Sequence, residues 1–183
     1  MNPEQWLVGI AAVAVLLWLS RRALPYPGSH GFYRFFALLA IAGLLVLVIP
    51  YWLEDRFAPL QIISWILLFT ALFLVIYGLW LLRHRGQPGA RDDPDLLSFE
   101  RTGKLVSDGL YGYIRHPMYL SLILFGWGLF FKQASLLTAT LAAIASVLLF
   151  ITARVEEREC LAAFGDAYRG YRQRTRMFIP GLL

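Results

Sequence analysis

Hydrophobic residues fall into five long stretches separated by polar segments. These stretches cover residues 6–19, 32–53, 62–82, 117–131 and 134–153. A straight helix needs about 20 apolar residues to cross a bilayer. The second, third and fifth stretches satisfy this length, whereas the first and fourth are shorter. The pattern predicts an all-α membrane protein with about five transmembrane helices.

The segments between the stretches refine this prediction. Only Lys132 and Gln133 join the fourth stretch to the fifth, which predicts a tight helical hairpin. Pro50 lacks a backbone N–H and is expected to bend the second helix near its end. The first stretch has no basic region before it and is followed by Arg21 and Arg22, so we expect a retained membrane helix rather than a cleaved signal peptide.

Composition supports one integral membrane domain over residues 1–183. The chain is 58% hydrophobic and 16% charged, compared with about 25% charged residues in soluble proteins. Fifteen of its 17 lysines and arginines fall on one side of a five-helix arrangement. The positive-inside rule then predicts an outside N-terminus and a cytoplasmic C-terminus, at the inner membrane if the source is bacterial. The net charge of +5 is thus explained by topology, and no nucleic-acid partner is expected.

Two polar segments share the predicted cytoplasmic side, namely the connection at 83–116 and the tail at 154–183. In the tail, Leu161, Phe164, Tyr168 and Tyr171 recur at three- and four-residue steps, which predicts an amphipathic C-terminal helix. We expect both segments to form a ligand pocket with the start of the fourth helix. The single cysteine and three scattered histidines form no recognisable metal-binding motif.

The sequence Arg115-His116-Pro117 stands at the start of the fourth stretch. Proline fits the first turn of a helix, so Pro117 is expected to open this helix, with His116 at its N-cap. Free N–H groups at such a helix start suit a carboxylate or phosphate. A snorkelling arginine at the headgroup level is the alternative interpretation. Glu156 and Glu157 are likewise either site residues or a paired, solvated helix end.

Several motifs over residues 103–180 together resemble those of the isoprenylcysteine carboxyl methyltransferase and phospholipid methyltransferase families, membrane enzymes that use S-adenosyl-L-methionine. The motifs, in chain order, are Gly109-x-Tyr111, Arg115-His116-Pro117-x-Tyr119, Glu156-Glu157, Phe164-Gly165-x-x-Tyr168-x-x-Tyr171 and a segment from Arg174 to Pro180. The resemblance implies a cofactor pocket closed by the C-terminal helix. The implied cofactor-binding residues are Gly103, Lys104, Leu105, Val106, Tyr111, His116, Pro117, Met118, Tyr119 and Glu156.

The resemblance also implies candidate catalytic residues and an acceptor. Glu156 and Glu157 are candidate bases for an amine acceptor, and Arg154 is the candidate cation for a carboxylate acceptor. The prenylcysteine enzymes place a substrate-contacting arginine where this chain has Thr152. We therefore expect a lipophilic, membrane-embedded acceptor with an amine or thiol rather than a prenylcysteine carboxylate. The alternatives are a sterol-reductase-like enzyme that uses NADPH and a non-catalytic membrane accessory protein.

Overall fold

The computed structural model describes residues 2–86 and 105–181, and in this part of the chain α-helices are joined by turns and short irregular segments. Within these residues no β-strand is present, and Ile114 and Arg176 form an isolated parallel bridge. The α-helices are α1 (Pro3–Ser20), α2 (His30–Val48), α3 (Pro59–Arg85), α4 (Pro117–Lys132), α5 (Leu136–Phe164) and α6 (Asp166–Arg174). The predicted all-α class is confirmed.

Local sequence explains where several helices begin and end. Pro59 and Pro117 occupy the first turns of α3 and α4, where the missing N–H of proline has no helical partner. Ser135 caps α5 because its side chain accepts a hydrogen bond from the Thr138 N–H. Helix α2 ends at Val48, and a 3₁₀ turn containing Pro50 follows. Pro50 thus lies just beyond α2 rather than bending it.

Four helices, α1, α2, α3 and α5, are long and apolar enough to cross a membrane. Helix α4 has 16 residues and is about 24 Å long at 1.5 Å per residue, less than the hydrocarbon core of a bilayer. It packs against α2, α3 and α5. The protein is therefore a multi-pass membrane protein. Its shorter apolar helix α4 packs among the longer helices α2, α3 and α5.

Small residues bring α3 and α4 close together. A Cβ atom added at Gly128 would lie 2.9 Å from Leu68 Cδ2, and one added at Gly78 would lie 3.4 Å from Met118 Cγ. The Ser64 hydroxyl donates to the Gly128 carbonyl at 2.7 Å. Small residues and interhelical hydrogen bonds are the usual means of packing helices in lipid. This packing places the start of α4 against the last turns of α3.

A polar contact joins the other ends of the same two helices. The Lys132 ammonium donates to Gln61 Oε1 at 3.1 Å and lies 3.5 Å from the Trp65 ring centroid. The Gln61 amide donates to the Lys132 carbonyl at 2.9 Å. These contacts explain how Lys132 is only 3% exposed. They link the end of α4 to the start of α3.

The predicted C-terminal amphipathic helix is divided in two. Helix α5 continues through the charged residues 154–159 to Phe164, and the chain turns at Gly165, which has a φ of 54°. This left-handed conformation favours glycine. Tyr168 and Tyr171 therefore belong to α6, whereas Leu161 and Phe164 belong to α5. The three- and four-residue spacing did not reveal this turn because it continues across Gly165.

Candidate functional site

A cavity of about 110 Å³ lies where the start of α4 meets the end of α5 and α6. Eight of the predicted cofactor-binding residues line it: Leu105, Val106, Tyr111, His116, Pro117, Met118, Tyr119 and Glu156. The other two, Gly103 and Lys104, lie outside the described residues. The structure thus brings together residues from both sequence segments expected to form the pocket.

Six further residues line the cavity and were not among the predicted cofactor-binding residues: Leu82, Arg115, Cys160, Phe164, Tyr168 and Tyr171. One sequence signal identifies part of this set. Glu156, Cys160 and Phe164 recur every four residues on α5, so they lie along one face of the helix. Leu82 contributes from α3 and has no comparable signal in the sequence.

His116 lies at the centre of the polar part of the cavity wall. It is the N-cap of α4, as predicted, and is 6% exposed. Its Nδ1 atom lies 3.5 Å from Glu156 Oε2, and its Nε2 atom lies 3.7 Å from Glu157 Oε1. Its ring stacks on Tyr119, with centroids 5.5 Å apart. Within the described residues, Nε2 has no hydrogen-bond partner.

Opposing effects act on the protonation of His116. Burial lowers its pKa, whereas the carboxylates of Glu156 and Glu157 raise it, and the net shift is upward from 6.5. The neighbouring negative charges therefore outweigh desolvation. The raised pKa favours the protonated, positively charged form of this buried side chain.

The two adjacent glutamates have different surroundings. The Glu156 side chain is 23% exposed, lines the cavity and interacts with Tyr119. The Glu157 side chain is 3% exposed and accepts a hydrogen bond from Arg115 Nε at 2.6 Å. Arg172 Nε lies 3.6 Å from its other oxygen. Glu156 thus lines the cavity. Glu157 does not line it and instead contacts Arg115 and Arg172.

Residues 166–178, here called the C-terminal cap, cover one side of the cavity. The Tyr171 hydroxyl donates to the Tyr111 carbonyl at 2.7 Å. The Arg115 N–H donates to the Arg176 carbonyl at 2.8 Å, and the His116 N–H donates to the Met177 carbonyl at 3.1 Å. Burial raises the pKa values of Tyr168 and Tyr171, so both remain neutral. The cap therefore contributes neutral aromatic surface.

Thr152 and Arg154 do not line the cavity. Thr152 is fully buried, and its hydroxyl donates to the Leu148 carbonyl at 2.7 Å. Arg154 is exposed, and its guanidinium lies 5.3 Å from the Phe150 ring centroid. The cation considered for a carboxylate acceptor thus lies away from the cavity.

The fold and this cavity define a multi-pass helical membrane protein with a ligand site of imidazole, carboxylate and tyrosine groups. The family model described as phospholipid methyltransferase matches residues 60–167, more than half of the chain. The chain therefore belongs to this family.

Curated relatives include methanethiol S-methyltransferases and a prenylcysteine enzyme. Methanethiol S-methyltransferase 1 of Bradyrhizobium diazoefficiens is 32% identical over 64% of this chain and 39% of its own length. Methanethiol S-methyltransferase of Crocosphaera subtropica is 27% identical over 87% of this chain and 64% of its own. Protein-S-isoprenylcysteine O-methyltransferase of Schizosaccharomyces pombe is 31% identical over 42% of this chain and 33% of its own.

The matched regions thus span less than two thirds of each of these relatives. No solved structure matches the chain significantly. The relatives favour the predicted methyltransferase over the reductase and accessory alternatives.

Proposed function

We propose that the protein transfers a methyl group from S-adenosyl-L-methionine to a lipophilic thiol. The observation that carries the proposal is the cavity itself, which combines His116, Glu156 and several tyrosines next to a helix start. The thiol is chosen because neither Thr152 nor Arg154 lines the cavity, and the Arg115 guanidinium that does line it is paired with Glu157. Relatives named methanethiol S-methyltransferases also match the chain. A lipid amine is the second acceptor, suggested by the family's name.

The described residues suit the polar groups of this cofactor. The buried Nε2 atom of His116 has no hydrogen-bond partner within the described residues and fits a carboxylate, and N–H groups at the start of α4 fit the same group. Glu156 suits an amine or ribose hydroxyls. The faces of Tyr111, Tyr119 and Tyr168 suit a sulfonium cation. When bound, the cofactor supplies a methyl group already activated on sulfur.

The cavity is smaller than a typical cofactor pocket of about 300–1,000 Å³. Binding therefore requires a wall to move outward. The C-terminal cap is held by α6 packing against α5 and by hydrogen bonds to Tyr111, Arg115 and His116, and it is a wall that is not part of a long apolar helix. The cap is thus the element expected to admit the ligand.

Glu156 is the base in the proposed reaction. Glu156 accepts the proton that a thiol or amine acceptor must lose. The remaining effect is alignment of donor and acceptor, which contributes up to about 7–11 kcal/mol in well-oriented reactions. Arg154, by its position, takes no part in binding a thiol.

The proposed site lies on the cytoplasmic side of the membrane. The basic connections at 83–116 and 154–183 support this orientation through the positive-inside rule. The acceptor reaches the site from the surrounding lipid.

Ligand binding and turnover test this function in the protein reconstituted in nanodiscs. We expect calorimetry to show that the protein binds S-adenosylhomocysteine and does not bind NADPH. With radiolabelled cofactor, an alkanethiol should be methylated faster than phosphatidylethanolamine, and a farnesylcysteine analogue slowest. NADPH binding alone would overturn the methyl-transfer proposal, faster phosphatidylethanolamine turnover would favour the amine, and fastest turnover of the farnesylcysteine analogue would contradict the acceptor assignment.

A further inference from the structure

Glu157 is the most enclosed carboxylate near the cavity, yet it does not line it. It is 2% exposed, and two arginines and one histidine lie close to it. Arg115 Nε lies 2.6 Å away, Arg172 Nε 3.6 Å and His116 Nε2 3.7 Å. Arg115 and His116 precede α4, whereas Arg172 belongs to the C-terminal cap. One carboxylate therefore connects the end of α5 with the start of α4 and with the cap.

Arg115 extends this connection to the cap backbone. One guanidinium nitrogen donates to the Thr175 carbonyl at 2.5 Å and to the Arg172 carbonyl at 3.3 Å. The Thr175 hydroxyl in turn donates to the Tyr171 carbonyl at 2.8 Å. Glu157 thus holds the cap directly through Arg172 and indirectly through Arg115.

Burial gives the contact between Arg115 and Glu157 its weight. The Arg115 side chain is 9% exposed and that of Glu157 is 3% exposed, whereas the Arg172 side chain is 42% exposed. Removing one partner of a buried ion pair leaves the other charge uncompensated, which is strongly destabilising. Exposed pairs contribute little in comparison. The Arg169 to Asp166 pair on the same cap is of the exposed kind, with side chains 74% and 92% exposed.

We propose that Glu157 is the positioning residue that fastens the C-terminal cap over the cavity, while Glu156 is the carboxylate that meets the ligands. The inference rests on the proposed function only for the identity of the ligand. Closure of the cap is a property of the protein alone. It can therefore be measured without cofactor or acceptor.

Hydrogen exchange of residues 166–178 in ligand-free nanodiscs tests the fastening. Glu157→Gln keeps the size of the side chain and removes its charge. We expect it to speed exchange in the cap about tenfold, because the variant loses a hydrogen bond to a charged group and the cap then opens more often. Exchange in α1 should not change. Glu156→Gln should leave cap exchange as in the wild type.

A second pair of variants serves if Glu157→Gln does not fold. Arg172→Gln removes the cap's direct contact with Glu157, whereas Arg169→Gln removes only the surface pair on the same helix. We expect faster cap exchange in Arg172→Gln alone. Equal exchange in Arg172→Gln and the wild type, or equal acceleration in both arginine variants, would overturn the proposal.

Dissociation of S-adenosylhomocysteine tests whether the fastened cap retains the ligand. Arg172→Gln should release it several times faster than Arg169→Gln. Unchanged release together with faster exchange would contradict this role of the cap. If the wild type does not bind S-adenosylhomocysteine but the exchange pattern holds, the proposed function fails and the fastening role of Glu157 stands.

Discussion

The Tyr171 hydroxyl donates a hydrogen bond to the Tyr111 carbonyl at 2.7 Å, across a separation of 60 residues. Tyr111 lies in the 3₁₀ turn before α4, and Tyr171 lies in α6. Both side chains line the cavity. This bond therefore joins two opposite walls of the candidate site at a buried point.

Tyr171→Phe should remove this bond with little change in shape. The buried Tyr111 carbonyl would lose its partner, which costs about 1–3 kcal/mol. We expect a lower denaturation midpoint in detergent and weaker binding of S-adenosylhomocysteine. Tyr168→Phe, on the same helix and in the same cavity, is the matched control and should change both less. Identical effects of the two substitutions would show that the hydrogen bond is not the cause.

His116→Ala should weaken cofactor binding by about 1–3 kcal/mol, the range for losing a hydrogen bond to a charged group. Calorimetry with S-adenosylhomocysteine measures the loss. His84→Ala is the control, because His84 is exposed and its ring contacts the Trp80 carbonyl. Unchanged affinity in a folded His116→Ala protein would assign His116 to a structural helix cap.

The raised pKa of His116 predicts a pH dependence of stability. Glu156 and Glu157 favour the protonated ring in the folded state, so the folded pKa lies above the ordinary value of 6.5. The resulting stabilisation is fully present below pH 6.5 and is lost as pH rises through the folded pKa. Thermal denaturation from pH 6 upward should show this loss in the wild type and less of it in His116→Gln. Parallel curves for the two proteins would contradict the assignment.

The contact between Gln61 and Lys132 should contribute to stability and not to binding. Gln61→Leu removes the acceptor of the buried ammonium, and we expect a loss of about 2 kcal/mol, as for hydrogen bonds to charged groups. Adding Lys132→Met should restore part of this loss, since no buried charge then lacks its partner. Chemical denaturation measures both. Affinity for S-adenosylhomocysteine should stay at the wild-type value. Gln61 and Lys132 lie at the start of α3 and the end of α4, whereas the cavity lies at the start of α4.

The proposed orientation can be checked by labelling. In a Cys160→Ala background, a cysteine at Gly89 should react with an impermeant maleimide only after the cytoplasmic side is opened. The reason is the concentration of 15 of 17 basic residues on that side. A cysteine at Phe57, 90% exposed between α2 and α3, should react from outside. The reverse pattern would invert the topology.

Local and periodic features were predictable from the sequence. Long apolar runs predicted about five transmembrane helices, and among the described residues four apolar helices are long enough to cross a membrane while α4 is shorter. Apolar runs are informative because a helix bonds its own backbone polar groups, as lipid requires. Pro117 determined where α4 begins and His116 its N-cap, since both depend on neighbouring backbone groups alone. The family resemblance identified eight residues that line the cavity, between Leu105 and Glu156 in the chain. Roles within the site are still predictions.

The tertiary structure decided which members of those motifs face each other. Glu156 and Glu157 are neighbours in sequence but point about 100° apart on a helix, so the rotation of α5 against α4 and α6 selects the one that lines the cavity. The pairing of Arg115 with Glu157 and of Lys132 with Gln61 joins residues 42 and 71 positions apart. Such contacts depend on how whole helices pack, and hydrophobic periodicity records only which face of each helix is apolar.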